Sequence, residues 1–546
     1  MSLPLVRNHE TMTNLPFPGL TTPARPRAGN RTRRWEIVLS LLLILSLGVS
    51  ALSDAGVLAR SQSDADVGHD DSAVVVDTSP FGPLQVLPIG ITSTGDPATD
   101  GQWEGIYQLR SRPIQAVMFP NGTVLYWPNS GTAYMWNPMT GENYELSSQP
   151  GFNMFCAGMA LLPDGRALIA GGHVNSRTGL PDAVMFDPAT NQFTRLPDMN
   201  AGRWYPTNTA LPSGDMLVTS GDITPKAANE LPQIWLESGE GWVDLTGALR
   251  KLPWYPFMYV MPDGRVFNAG PNMNTAYLDT SGTGQWTDVA TTNWDERTYG
   301  SSVMYDTNKI LILGGNDGPP YGTWAGPPTN TAEVIDLSDP SPSWRYTNPM
   351  AFPRIQATAT LLPDGTVLVT GGSSGPGKDD ASAPVYAAEL WDPKTEQWTT
   401  LAGNSVYRGY HSVSFLLPDG RVVSAGGDLA NIAQGDPRNG GKNYEIFSPP
   451  YLFKGPRPTI SNAPATVEYG QSFAVDTPDG AGITEVTWIR MPSVTHAYDM
   501  NQRINRLSFT TTANGLAVQA PSSPNLAPPG HYMLFILKDG VPSVAK

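Results

Sequence analysis

The chain has 546 residues, 55 of them Gly and 52 Pro, with 40 % hydrophobic and 15 % charged residues. That length exceeds a single compact core and implies roughly two to four structural units, while the turn-rich composition, with 15 Trp and 20 Tyr, favours many short strands and excludes disorder. A formal charge of −15 argues against a nucleic-acid partner, and one cysteine, Cys156, excludes an intrachain disulfide and a Cys-built zinc site.

In chain order, Arg31, Arg33 and Arg34 precede an apolar run at residues 37–52. A positive flank, a short apolar stretch and the small residues around Ala51 and Ser53 read as an export signal. The run falls short of the roughly 20 residues of a membrane span, yet the long segment ahead of it keeps an uncleaved signal anchor as the alternative. Residues 1–53 are therefore an N-terminal extension with signal peptide or signal anchor, and residues 54–100, rich in Asp, Ser and Pro, a linker. On either reading the rest of the chain is secreted or extracytoplasmic.

From about residue 100 a short pattern returns: an apolar stretch, a tight turn, then an apolar stretch ending in Gly-Gly or similar. The turns are Pro120-Asn121-Gly122, Pro163-Asp164-Gly165, Pro212-Ser213-Gly214, Pro262-Asp263-Gly264, Pro363-Asp364-Gly365 and Pro418-Asp419-Gly420, with a degenerate copy at Asp306-Thr307-Asn308. Successive turns are 43, 49, 50, 44, 57 and 55 residues apart. A period near 50 with hairpin turns is the kelch signature, so seven copies predict a seven-bladed kelch-like β-propeller over 101–454. After Tyr451 the repeat stops. The alternating stretches of 455–546 predict a small C-terminal immunoglobulin-like β-sandwich, and the fold class is all-β.

Counting nine residues back from each turn's last residue gives Cys156, Tyr205, Tyr255, Tyr299, Gln356 and His411. The innermost strand of a propeller blade leads into this hairpin, so equal offsets place these side chains at one height around one mouth of the channel, with Tyr410 on the same rim. Singly, each has a bland reading: an aromatic filler, a small buried thiol, a structural imidazole. As a set, thiol, phenols and imidazole converge at one end of one channel.

This set resembles the copper-radical oxidases, the galactose oxidase and glyoxal oxidase family, over residues from about 100 to the end. Its carriers are Phe155-Cys156-Ala157-Gly158, Arg203-Trp204-Tyr205-Pro206, Tyr410-His411-Ser412 and Thr495-His496-Ala497 followed by Asp499-Met500-Asn501-Gln502-Arg503. The resemblance implies one copper ion and a protein-derived radical cofactor in which Cys156 is thioether-linked to Tyr205. It implies Tyr205, Tyr410, His411 and His496 as metal ligands, Tyr410 as general base, and His496 as delivered by a loop of the C-terminal domain. Imidazole and phenolate donors suit Cu(II). Copper accepts one electron and alcohol oxidation releases two, so the modified Tyr205 is the second store, and dioxygen leaves as hydrogen peroxide.

A tryptophan stacks over the thioether in galactose oxidase; ungapped placement puts Ile223 there, with Trp204 as an alternative shield. The Arg-Trp-Tyr-Pro motif looks closer to the glyoxal oxidase-like members. Trp204, Tyr255, Tyr299 and Gln356 are candidates for the substrate rim. Of the other histidines, His173 is expected in a surface loop and His531 in a structural role. With no carbohydrate-binding module evident before residue 100, the expected substrate is a simple aldehyde of the glyoxal type or a primary alcohol, with dioxygen as co-substrate. The alternative is a non-catalytic secreted or anchored kelch propeller that binds glycans or proteins. A hydrolase lacks its nucleophile motif.

Overall fold

The computed structural model describes residues 95–317, 326–377, 380–428 and 441–546. The export or anchor segment and the linker up to residue 94 lie outside the described residues. Among the described residues, no helix is long and apolar enough to cross a membrane.

The repeated turns do close hairpins. At Pro163-Asp164-Gly165, Gly165 N–H donates to Leu162 O and Leu162 N–H to Arg166 O, while Asp164 Oδ1 accepts from Arg166 N–H at 3.0 Å. Gly165 sits at φ 88°, a conformation that costs glycine little. In the degenerate copy Asn308 takes this place at φ 64°, which Asn tolerates better than most side chains. Each hairpin joins the first two strands of a blade, as in Gly158–Leu161 with Ala167–Ala170 and Thr207–Ala210 with Met216–Thr219. These inner strands are buried on both faces, because neighbouring blades cover them; outer strands such as Gln192–Arg195 are largely exposed.

Seven such sheets follow one another as blades, numbered by their innermost strands: Gln115–Met118 (blade 1), Gly158–Leu161 (2), Thr207–Ala210 (3), Met258–Val260 (4), Ser301–Asp306 (5), Thr358–Leu361 (6) and Ser412–Leu416 (7). The ring is closed by chain ends distant in sequence: Gln102–Gln108 pairs antiparallel with Asn443–Ser448 as the outer strand of blade 7. The C-terminal domain packs a three-stranded sheet and the four-stranded sheet containing Glu485–Arg490 and Tyr532–Lys538 around Val475, Val486, Leu516, Val518 and Ile536. The molecule is thus an all-β propeller followed by a small β-sandwich.

A second repeat, less visible in sequence, stiffens the ring. Arg203, Arg297, Arg354 and Arg408 are buried just ahead of blades 3, 5, 6 and 7. Each donates from NH1 to a carbonyl near the end of its blade's second strand: Ser220, Gly314, Gly371 and Gly426. Three then pair with a buried glutamate on the third strand: Arg297–Glu333 at 2.8 Å, Arg354–Glu389 at 2.7 Å and Arg408–Glu445 at 3.1 Å. In blade 3 Gln233 stands in for the glutamate, 3.3 Å from Arg203 NH2.

Candidate active site

The positions picked out by equal offset share a backbone state. Cys156, Tyr205, Tyr255, Tyr299, Gln356 and His411 all have positive φ, between 46° and 69°. Such conformations cost non-glycine residues about 1–3 kcal/mol each and collect at functional sites. Each lies one to three residues ahead of the innermost strand of its blade, where the reversal redirects the chain. Backbone bonds link the positions from blade to blade: Tyr205 N–H donates to Cys156 O at 2.9 Å, Tyr255 N–H to Tyr205 O at 2.9 Å, and Gln356 N–H to Tyr299 O at 3.0 Å.

Blade 1 is the exception, because its matching residue is Pro113, whose ring forbids positive φ. Its place is taken from the other end of the chain. The strand Ser493–Thr495 pairs antiparallel with Gln115–Met118, extending blade 1 into the channel. It returns through a two-residue turn, His496-Ala497, with φ 46° and 68°. That is the primed hairpin geometry usually filled by Asn-Gly; a histidine in it marks a position held for its side chain. Thr495 Oγ1 lies 2.6 Å from His496 Nδ1 and also donates to Ile114 O, which orients the ring.

His496 Nε2 is 2.7 Å from Tyr205 Oη, and Tyr205 Oη is 2.7 Å from Tyr410 Oη. The His411 ring stacks on Tyr410 at 3.7 Å and lies 4.9 Å from the His496 ring. Its Nδ1 is 2.8 Å from Asp428 Oδ2, and Asp428 also binds Arg112. Burial alone would raise the Asp428 pKa, but His411 and Arg112 outweigh it and hold the carboxyl well below its usual range. Burial pushes the phenols of Tyr205, Tyr410, Tyr255 and Tyr299 upward, and the Cys156 thiol is close enough to add to that push on all four.

The family model for the glyoxal oxidase N-terminus matches residues 149–451, more than half of the chain. The chain belongs to the galactose oxidase and glyoxal oxidase family of copper-radical oxidases. A galactose oxidase-like early set domain matches residues 457–546. Galactose oxidase of Gibberella zeae is 29 % identical over 491 residues, covering 82 % of this chain and 70 % of that protein. Aldehyde oxidase GLOX of Vitis pseudoreticulata is 30 % identical over 442 residues, 72 % of this chain and 81 % of that one. A fungal alcohol oxidase solved in complex with copper superposes with a TM-score of 0.73 at 25 % identity, over 82 % of this chain and 99 % of its own.

Within this family framework, the four rim candidates take distinct places. Trp204 lies parallel to Tyr205, with ring centroids 3.7 Å apart and planes 6° apart. Tyr255 also stacks on Tyr205, at 4.5 Å, and its hydroxyl donates to Ala157 O. Tyr299 is half-buried, edge-on to Tyr410 at 5.8 Å. Gln356 is buried, and its Nε2 has no hydrogen-bond partner among the described residues.

His173, expected in a surface loop, is instead half-buried, and its Nδ1 lies 3.1 Å from the Trp204 indole nitrogen, which donates to it. The correction has a simple cause. The segment after Gly171-Gly172 folds back as the small hairpin His173–Asn175 with Thr178–Gly179, and a matching hairpin Asp222–Thr224 with Ala227–Ala228 follows Gly221. The two clamp the Trp204 segment through Arg203 N–H to Leu180 O and Trp204 N–H to Asp222 O. Trp254 and Arg177 were also missed: Trp254 meets Tyr205 edge-on at 5.7 Å, and the Arg177 guanidinium covers Trp254 at 5.1 Å while binding Asp222. Only the Trp-Tyr pair at 254–255, echoing 204–205, could have marked Trp254 in advance.

Proposed function

We propose that this chain is an extracytoplasmic copper-radical oxidase that converts a simple aldehyde or primary alcohol and dioxygen into the acid or aldehyde and hydrogen peroxide. The observation that carries the reading is the convergence of Tyr205, Tyr410 and His496 within 2.7 Å contacts, beside His411 and the sole cysteine. Extracytoplasmic placement rests on the Arg-flanked apolar run at 37–52.

The donor set fits copper. Among the described residues no group of three or more His, Cys, Asp or Glu is placed to hold a metal, so a metal here must draw on phenol oxygens. Two imidazoles and two phenols are the N,O donors that favour Cu(II). Burial opposes ionisation of the phenols, and a nearby cation would counter that. Tyr205, Tyr410, His411 and His496 would hold the ion, and copper would supply one of the two electron-accepting centres that a two-electron oxidation needs. Cys156 and Tyr205 would supply the other: joining sulfur to the ring carbon, with dioxygen taking up the two hydrogens as peroxide, would leave a phenol that is easier to oxidise by one electron. Tyr410, whose hydroxyl is 2.7 Å from that of Tyr205, would take the substrate hydroxyl proton. Trp204 and Tyr255 cover the ring of Tyr205 and keep water from it.

A small cleft of ≈ 20 Å³ lined by Trp254, Tyr255, Phe257, Pro271, Tyr299 and His496 adjoins the site. Its mainly apolar walls beside Tyr299 and His496 favour a substrate of low polarity. A larger cleft of ≈ 660 Å³, around Asp306, Arg345 and Glu485, contains none of the site residues. The test is peroxide release from copper-loaded protein across small aldehydes and primary alcohols. Cys156→Ser and Tyr205→Phe are each expected to abolish it with an unchanged circular-dichroism spectrum. Wild-type rates in either variant would defeat the assignment.

A further inference from the structure

The segment after the His496 turn, Asp499-Met500-Asn501-Gln502-Arg503, is not used by the chemistry above. Most of it fastens the turn. Asp499 Oδ1 accepts from the N–H groups of Ser493, Asn501 and Gln502. Gln502 accepts from Leu361 N–H and donates to Ala359 O on blade 6.

Arg503 does not fit this pattern. It is only 7 % exposed, yet its NH2 reaches just the Val260 carbonyl at 3.0 Å and the Met304 sulfur at 4.0 Å, and its Nε is buried without a hydrogen-bond partner. Arg490, 2 % exposed, meets only neutral groups: Asn501 Oδ1, the Tyr532 hydroxyl and the carbonyls of Leu161, Pro528 and Pro529. Burial lowers the pKa of Arg503 to about 10, and Arg490 adds to the effect. Among the described residues no carboxylate hydrogen-bonds to either guanidinium, whereas Arg297, Arg354 and Arg408 each have a buried glutamate.

Both arginines line one cavity of ≈ 30 Å³, with Met258, Tyr259, Met304 and Gln502 among its other walls. These wall residues are buried. A space of that measure holds roughly one or two water-sized particles. Arg490 spends its five N–H groups on the neutral acceptors above, whereas Arg503 keeps an unbonded Nε in the same buried surroundings, where an uncompensated charge is costly. One anion would offset the repulsion between the two guanidiniums and could serve as the acceptor that Arg503 Nε lacks.

We propose that this cavity is a binding site for one small monovalent anion of halide size, held by Arg503 with the Arg490 charge beside it, where the C-terminal domain enters the propeller. The anion stabilises the docked segment that carries His496. Bromide is the probe. In crystals of the full chain soaked in bromide, anomalous density is expected in the cavity at hydrogen-bonding distance from the Arg503 guanidinium. In solution the melting temperature is expected to rise saturably with bromide at constant ionic strength, against gluconate, which is too large to enter. Arg503→Gln is expected to remove that dependence. A cavity without anomalous density, or an equal bromide response in wild type and Arg503→Gln, would overturn the proposal. Should Arg503→Gln fail to fold, the wild-type crystal experiment still decides.

Discussion

Tyr205 is the residue on which the site is organised: its hydroxyl meets Tyr410 and His496, its ring is covered by Trp204 and Tyr255, and its backbone is bonded to Cys156 and Tyr255. Aromatic pairs contribute about 0.5–1.5 kcal/mol beyond area burial. Removing the parallel stack in Trp204→Ala is therefore expected to shorten the lifetime of an oxidised Tyr205 by up to about tenfold, since ~1.4 kcal/mol is a factor of ten. Trp204→Phe should retain most of it. Decay of the radical absorption checks this, and identical decay in all three proteins would remove Trp204 from the account.

Asp499 gives a pH prediction of definite sign. Burial raises its pKa to about 6 despite three backbone donors. Its unfolded-state value is the ordinary one, 3.8. Between these two values the folded protein holds a proton that the unfolded chain has released, so stability falls as pH rises through that window. The total is about 2–3 kcal/mol, at ~1.4 kcal/mol per unit. Asp499→Asn keeps an oxygen for the three N–H donors and should flatten this slope in thermal melts at pH 4 and pH 7.

At the level of elements, the blade loops are held by side chains rather than by their own conformational preference. Each of the four blade arginines lies two or three residues before a site residue: Arg203 before Tyr205, Arg297 before Tyr299, Arg354 before Gln356 and Arg408 before His411. Removing one partner of a buried pair leaves an uncompensated charge, at a cost of about 3–5 kcal/mol. Arg354→Met is thus expected to lower stability by that amount in denaturant unfolding, and Arg354→Met with Glu389→Leu to regain most of it. Equal loss in the single and double variants would mean that packing, not charge, holds the loop.

For the whole molecule, blade count and hairpin positions were legible because each is a local event: a turn triplet between apolar strands repeats wherever a blade begins. Cys156, Tyr205 and His411 were legible for the same reason, since a fixed offset from a turn fixes height on the axis, and Tyr410 was found as the neighbour of His411. The His496 hairpin was only foreshadowed as a loop from the C-terminal domain. Its pairing with blade 1 joins residues about 380 positions apart, and no local pattern encodes such a register. The Pro113 gap that it fills becomes meaningful only beside the positive φ of the other blades. His173 and the arginine–glutamate pairs were missed because their partners lie on other strands or blades.

These scales meet in the thioether proposed between Cys156 and Tyr205. After aerobic copper loading of the full chain, a digest analysed by mass spectrometry should contain the Cys156 peptide joined to the Tyr205 peptide, two hydrogens lighter than their sum. Complete alkylation of Cys156 as a thiol after the same treatment would contradict the account and favour a propeller that binds without turnover.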